Sequence, residues 1–141
     1  ETLSGRCHCG NIEVVFEVSV APERLPMRTC ACSFCSRHGA RTVTDRRGRV
    51  RLTMHDPAQV IRYRFGLRTA DFLVCGRCGI YVAAVMRSAG SAYATVNVNT
   101  LEAADRLTQR PLTVSYDNET EVQRRMRRAA AWTPAVEVVA S

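Results

Sequence analysis

At 141 residues the chain is long enough to bury one hydrophobic core and short for several. No run approaches the roughly 20 consecutive apolar residues that a membrane-spanning helix needs, which argues against a helical membrane protein. The net charge is +7 and all 20 basic residues are arginine, so guanidinium forks suited to carboxylates and phosphates dominate, although a GC-rich coding sequence explains the same bias without function.

The opening segment ETLSGRCHCG lacks the charged and apolar regions of a secretory signal, and a reduced, cytoplasmic setting is expected. Leu3 to Arg6 reads as a short strand, turned tightly by CHCGN. Ile12, Val14, Phe16 and Val18 alternate with Glu13, Val15 and Glu17, the pattern of a strand with one buried face. Residues 50 to 53 and 60 to 65 continue as strands, with a brief helical turn at Asp56-Pro57, and His55 is expected to cap that turn. Residues 72 to 74, 80 to 86 and 93 to 98 complete the strand pattern. TLEAAD then suggests a helical turn, and VQRRMRRAAAW is the best helix candidate. The fold class is mostly β, built from short antiparallel strands in a single domain over residues 1–141.

The seven cysteines fall into three groups: CxC at Cys7 and Cys9, CxCxxC at Cys30, Cys32 and Cys35, and CxxC at Cys75 and Cys78. A short cysteine turn followed by glycine, as at Gly10 and Gly79, is a zinc knuckle in which two sulfurs converge on one ion. Cys7, Cys9, Cys75 and Cys78 supply the four thiolates of a closed structural zinc site. Cys30, Cys32 and Cys35 then form a second site with three protein ligands and a vacant fourth position, the arrangement of catalytic zinc. Competing readings are a disulfide framework, which an odd count disfavours, a redox CxxC, which lacks a surrounding βαβ pattern, and one zinc with the trio buried as core. His38 follows Cys35 by three residues and could close the second site; it also suits a surface position. His8 points away from the metal in a CxC turn.

With these residues in view, the sequence resembles the glutathione-dependent formaldehyde-activating enzyme family, one branch of which is related to the centromere protein V. The matching stretches are GRCHCGNIEVVFE at 5–17, CACSFCSRHGA at 30–40, FLVCGRCGIYV at 72–82 and VNVNTLE at 96–102. The resemblance implies a β-tent fold of stacked antiparallel sheets. It also implies a structural zinc on Cys7, Cys9, Cys75 and Cys78 and a catalytic zinc on Cys30, Cys32 and Cys35. Val74 stands where the family commonly has phenylalanine, and His38 where a small or variable residue is usual.

The activity this implies is that of a carbon–sulfur lyase acting on an S-hydroxymethyl adduct of glutathione or a related small thiol, or its reverse, thiol addition to formaldehyde. Two zinc ions per chain are expected, and lability of the second would suit ligand exchange. Arg37, beside the cluster, is the first candidate to hold a substrate carboxylate, with Arg28 and Arg41 behind it. Asp71 and His38 are the weak candidates for a base. The alternative is a basic, zinc-stabilised nucleic-acid-binding or scaffold module using Arg46, Arg47, Arg49 and Arg51 or Arg124, Arg125, Arg127 and Arg128. Sparse aromatic interleaving makes nucleic acid the weaker partner. An exposed strand edge could support a homodimer, though nothing in the sequence demands one.

Overall fold

The structure, a computed structural model, describes residues 1–140. It is mostly β, as expected, with eleven strands and two α-helices. The strands are β1 (Thr2–Arg6), β2 (Ile12–Glu17), β3 (Met27–Cys30), β4 (Thr42–Val43), β5 (Arg49–Met54), β6 (Val60–Tyr63), β7 (Asp71–Cys75), β8 (Tyr81–Ser88), β9 (Ser91–Asn97), β10 (Leu112–Val114) and β11 (Thr133–Val139). The helices are α1 (Ser33–His38) and α2 (Glu121–Ala131). No helix among the described residues is long and apolar enough to cross a membrane.

One hydrogen-bonded path runs β1-β2-β5-β11-β9-β4-β3-β10, and β8, β7 and β6 continue from β9 in turn. β9 is therefore the junction: β8 lies on one edge, while β4 and β11 share the other. Alternation along β2 proves real, since Ile12, Val14 and Phe16 are buried and the residues between them are exposed. Two pairings, β11 with β5 and β10 with β3, are parallel, which the alternation did not anticipate. β6 stops at Tyr63, short of the expected residue 65. There the chain turns through Gly66 and Arg68 at positive φ, and Arg68 N donates to Phe65 O. The turn before β6 is capped by Asp56, whose carboxylate accepts from Ala58 N; His55 instead pairs with Glu13 at 2.8 Å.

The buried side chains form two clusters. The larger joins Leu3, Phe16, Leu52, Leu73 and Val96 between the β1-β2-β5 and β7-β8-β9 regions. The smaller gathers Phe72, Tyr81, Ala84, Met86 and Trp132, with Phe34 and Phe65 against it. β8 serves both. Its register against β7 shifts between Leu73 and Val74, with Leu73 opposite Ala83 and Val74 opposite Tyr81. Below this bulge Ala84 and Met86 face the smaller cluster. Without it Tyr81 would share the face of Ala83 and Val85 in the larger core; the extra residue turns it toward the smaller cluster instead.

Candidate metal centres and cavity

Two cysteine knuckles meet at the ends of β1 and β7. Cys7 N donates to Ile12 O and Cys75 N to Ile80 O, each at 3.0 Å, so both turns close the same way. Gly10 N donates to Cys7 O and Gly79 N to Cys75 O, with Gly10 at φ +86° and Gly79 at φ +79°, a conformation that penalises a Cβ. The fold thereby brings Cys7, Cys9, Cys75 and Cys78 together, with their Sγ atoms all within 4.8 Å of one another. Cys9 Sγ lies 3.8 Å from Cys7 Sγ and 3.5 Å from Cys75 Sγ. A zinc–sulfur bond of about 2.3 Å implies a tetrahedron edge of about 3.8 Å, so the spacing fits zinc. Burial pushes the Cys7 thiol up to about 11. Burial acts against the Cys78 thiolate, but hydrogen bonds from the backbone N–H groups of Cys9 and Ile80 and from Cys75 and Cys7 together outweigh it and bring Cys78 down to about 6. His8 is exposed and stays out of the group.

The second group sits where β3 runs into α1. Cys30 ends β3, and Cys32 caps α1, its sulfur accepting from Cys35 N at 3.3 Å. Cys35 lies buried in the first turn of the helix. Their three Sγ atoms also lie within 4.8 Å of one another, and all seven cysteines are free thiols, which removes the disulfide reading. A hydrogen bond from Cys35 is the largest influence on Cys30, which is lowered to about 5, and Cys35 is correspondingly raised. An all-sulfur set of three fits a soft or borderline ion such as zinc. His38 does not join the trio: its ring packs on Phe34, with centroids 4.6 Å apart.

A cavity of about 590 Å³ opens over this trio. Phe65, Phe72 and Tyr81 line it from β7, β8 and the loop after β6, while Arg124, Arg127, Arg128 and Trp132 come from α2 and its C-terminal end. Tyr81 is 1% exposed; burial first, and the neighbouring cysteines second, raise its phenol well above the ordinary range, so it stays protonated. Glu119 clips the wall together. Arg127 donates to it through Nε (2.7 Å) and Nη2 (3.0 Å), and Arg124 through Nε at 3.2 Å. Those guanidinium groups hold the Glu119 carboxyl below the usual carboxylate range, Arg127 contributing most. The Arg127 guanidinium also lies 3.4 Å from the Tyr116 ring centroid.

Of the arginines singled out from sequence, Arg28 lines the cavity and donates to Thr44 Oγ1 at 3.2 Å. Arg37 is exposed on α1, donates to Ser33 O at 3.1 Å and is not among the cavity-lining residues; Arg41 donates to Asn99. Asp71 is buried in an ion-pair set with Arg62 and Arg64, away from the cavity lining. The sequence does not single out Tyr81 or Trp132, and it offers the α2 arginines only as a nucleic-acid-binding cluster, not as lining of this cavity. The spacing of Arg124, Arg127 and Arg128, which puts them on one helical face, was the available signal.

The sequence model of glutathione-dependent formaldehyde-activating enzymes matches residues 2–117. The chain is also similar to a Rhodobacter sphaeroides protein of known crystal structure, a structural-genomics target, at 36% identity. That match covers 78% of this chain and 99% of the other, with a TM-score of 0.58. No curated protein matches the chain.

Proposed function

The chain belongs to the glutathione-dependent formaldehyde-activating enzyme family, and from that premise we propose that it catalyses reversible addition of a small thiol such as glutathione to formaldehyde, as a carbon–sulfur lyase in the release direction. The observation that carries this reading is that the three-sulfur group lines a cavity of about 590 Å³, whereas the four-sulfur group is not part of that cavity's lining. Cys7, Cys9, Cys75 and Cys78 would hold a structural zinc at the ends of β1 and β7, and Cys30, Cys32 and Cys35 would hold a second. Bound there, zinc would offer a position at which an incoming thiol is kept as its nucleophilic thiolate.

The chain's own residues do the rest. Phe65, Phe72 and Trp132 give the cavity an apolar stretch of wall against which the apolar part of an adduct can pack. In the addition direction a sulfur–carbon bond forms at the formaldehyde carbon, the carbonyl π electrons move to oxygen, and that oxygen gains the proton the thiol has lost. The protonated phenol of Tyr81 offers a hydrogen bond to the oxygen as charge develops there. In the reverse direction the hydroxyl proton leaves, the carbonyl re-forms and the thiolate departs. The family's β-tent is the arrangement we assign to the sheets. Residues 1–141 act as one unit, because β11, beyond the family match, pairs with both β5 and β9. A reduced compartment such as the cytoplasm suits seven free thiols.

A nucleic-acid surface draws less support. In the second arginine cluster Arg124, Arg127 and Arg128 line the cavity, Arg124 and Arg127 are paired with Glu119, and Arg125 is paired with Glu121, so the cluster does not present an open basic face. The test is exchange NMR of a glutathione–formaldehyde mixture. The zinc-loaded protein should accelerate interconversion with the hemithioacetal, and Cys32→Ser should abolish the acceleration. Exchange no faster than without protein would refute the reading.

A further inference from the structure

Arg128 stands apart from the other arginines of the wall. It is 7% exposed, its guanidinium lies 4.7 Å from the Trp132 ring centroid, and its Nη1 donates to Thr69 Oγ1 at 2.7 Å. Its Nε is buried without a hydrogen-bond partner. Among the described residues no carboxylate lies within ion-pair distance of it, whereas Arg124 and Arg127 on the same helix share Glu119. Burial first, and those two arginines second, lower Arg128 to about 10, so it remains charged at neutral pH. A buried, unpaired cation is costly unless something anionic meets it. The cavity it borders carries four arginines against two carboxylates, Asp117 and Glu119.

We propose that Arg128 is the centre of an anion subsite in this cavity, which receives a carboxylate of the substrate while the substrate sulfur sits at Cys30, Cys32 and Cys35. The assignment of the sulfur end rests on the thiol reading above; the anion end does not. Trp132 supplies a flat apolar support beneath the guanidinium, and Thr69 fixes one of its amino groups. Arg28, bonded to the neutral Thr44 hydroxyl, adds a second cation to the lining. A cavity of about 590 Å³ has room for a thiol of tripeptide size with both ends engaged. Arg128 and Trp132 lie beyond residues 2–117, so the C-terminal segment supplies the centre of the subsite, while Thr69 and Arg28 come from within that range.

Two probes separate the ends. The tripeptide γ-glutamyl-aminobutyryl-glycine keeps both carboxylates of glutathione and lacks the thiol; mercaptoethanol has the thiol and no carboxylate. Calorimetry on the zinc-loaded protein should show that Arg128→Gln weakens the tripeptide at least about tenfold and changes mercaptoethanol less than about twofold, with Arg128→Lys in between for the tripeptide. Equal tripeptide binding by wild type and Arg128→Gln, or none by wild type, overturns the subsite. Arg128-dependent tripeptide binding with no response to mercaptoethanol upholds the subsite and refutes the thiol reading. If Arg128→Gln fails to fold, a crystal structure of the wild-type protein with the tripeptide decides. A carboxylate on the Arg128 guanidinium supports the proposal, and a carboxylate bound elsewhere ends it.

Discussion

Single side chains divide here into those that hold the fold and those that face the cavity. Cys75 is fully buried at the end of β7, and its sulfur belongs to the four-sulfur group, so on the proposed reading a serine there would remove a ligand from a site whose metal would contribute folding energy. Cys75→Ser should lose several kcal/mol of a total that is only about 5–15 kcal/mol, and thermal melting should show a collapsed or missing transition. Cys32 is half-buried at a short helix, and Cys32→Ser should melt within a few degrees of wild type while binding one metal fewer. Similar melting of the two variants would contradict the division of roles. The cysteine spacing made both groups legible from the sequence: the glycine-flanked knuckles of Cys7 with Cys9 and of Cys75 with Cys78 account for four thiols, and the remaining three lie within six residues at Cys30, Cys32 and Cys35. Arg128 and Tyr81 were not legible. An arginine in a charged helix reads as solvated, and a tyrosine in an apolar strand reads as core, until the neighbouring elements are in place.

Among the elements, α2 decides the shape of the cavity. The stretch VQRRMRRAAAW made its existence readable, and the structure adds a capping box in which Thr120 accepts from Gln123 N and Gln123 accepts from Thr120 N. What the helix does was hidden, because Glu119, one residue before the cap, is what clamps Arg124 and Arg127. The side chains of Glu119 and Arg124 are 18% and 16% exposed, so the clip should stabilise by about 1–2 kcal/mol. Its carboxyl is held below the ordinary range, so this stability is present above about pH 4.3 and fades as the pH falls through the lowered value. Glu119→Gln should therefore melt lower at pH 7, with the difference from wild type shrinking toward pH 3; a constant difference across that range would show that the ion pair is not its source. The β8 bulge was equally hidden. Strict alternation would place Tyr81 with Ala83 in the larger core, and only the pairing with β7 reveals the extra residue.

Across the whole molecule, strands with one buried face were legible and their partners were not. β2 announced itself by alternation, but β11 did not, since Thr133–Val139 alternates only loosely and carries Pro134. Yet β11 joins the β1-β2-β5 region to β9, and short β3, β4 and β10 build the floor that carries the cysteine trio. Their lengths of two to four residues are too short for any periodicity to register. The molecule thus separates two cysteine groups by sheet geometry: one gathers at the ends of β1 and β7, and the other lines a cavity walled in part by α2. The most direct measurement is cadmium NMR of protein in which cadmium replaces both metals, titrated with glutathione. Two resonances are expected, one unmoved throughout and the other shifting toward the four-sulfur range as the thiol joins Cys30, Cys32 and Cys35. Two resonances that both stay fixed, or both move, would contradict an architecture with one closed centre and one open to a thiol.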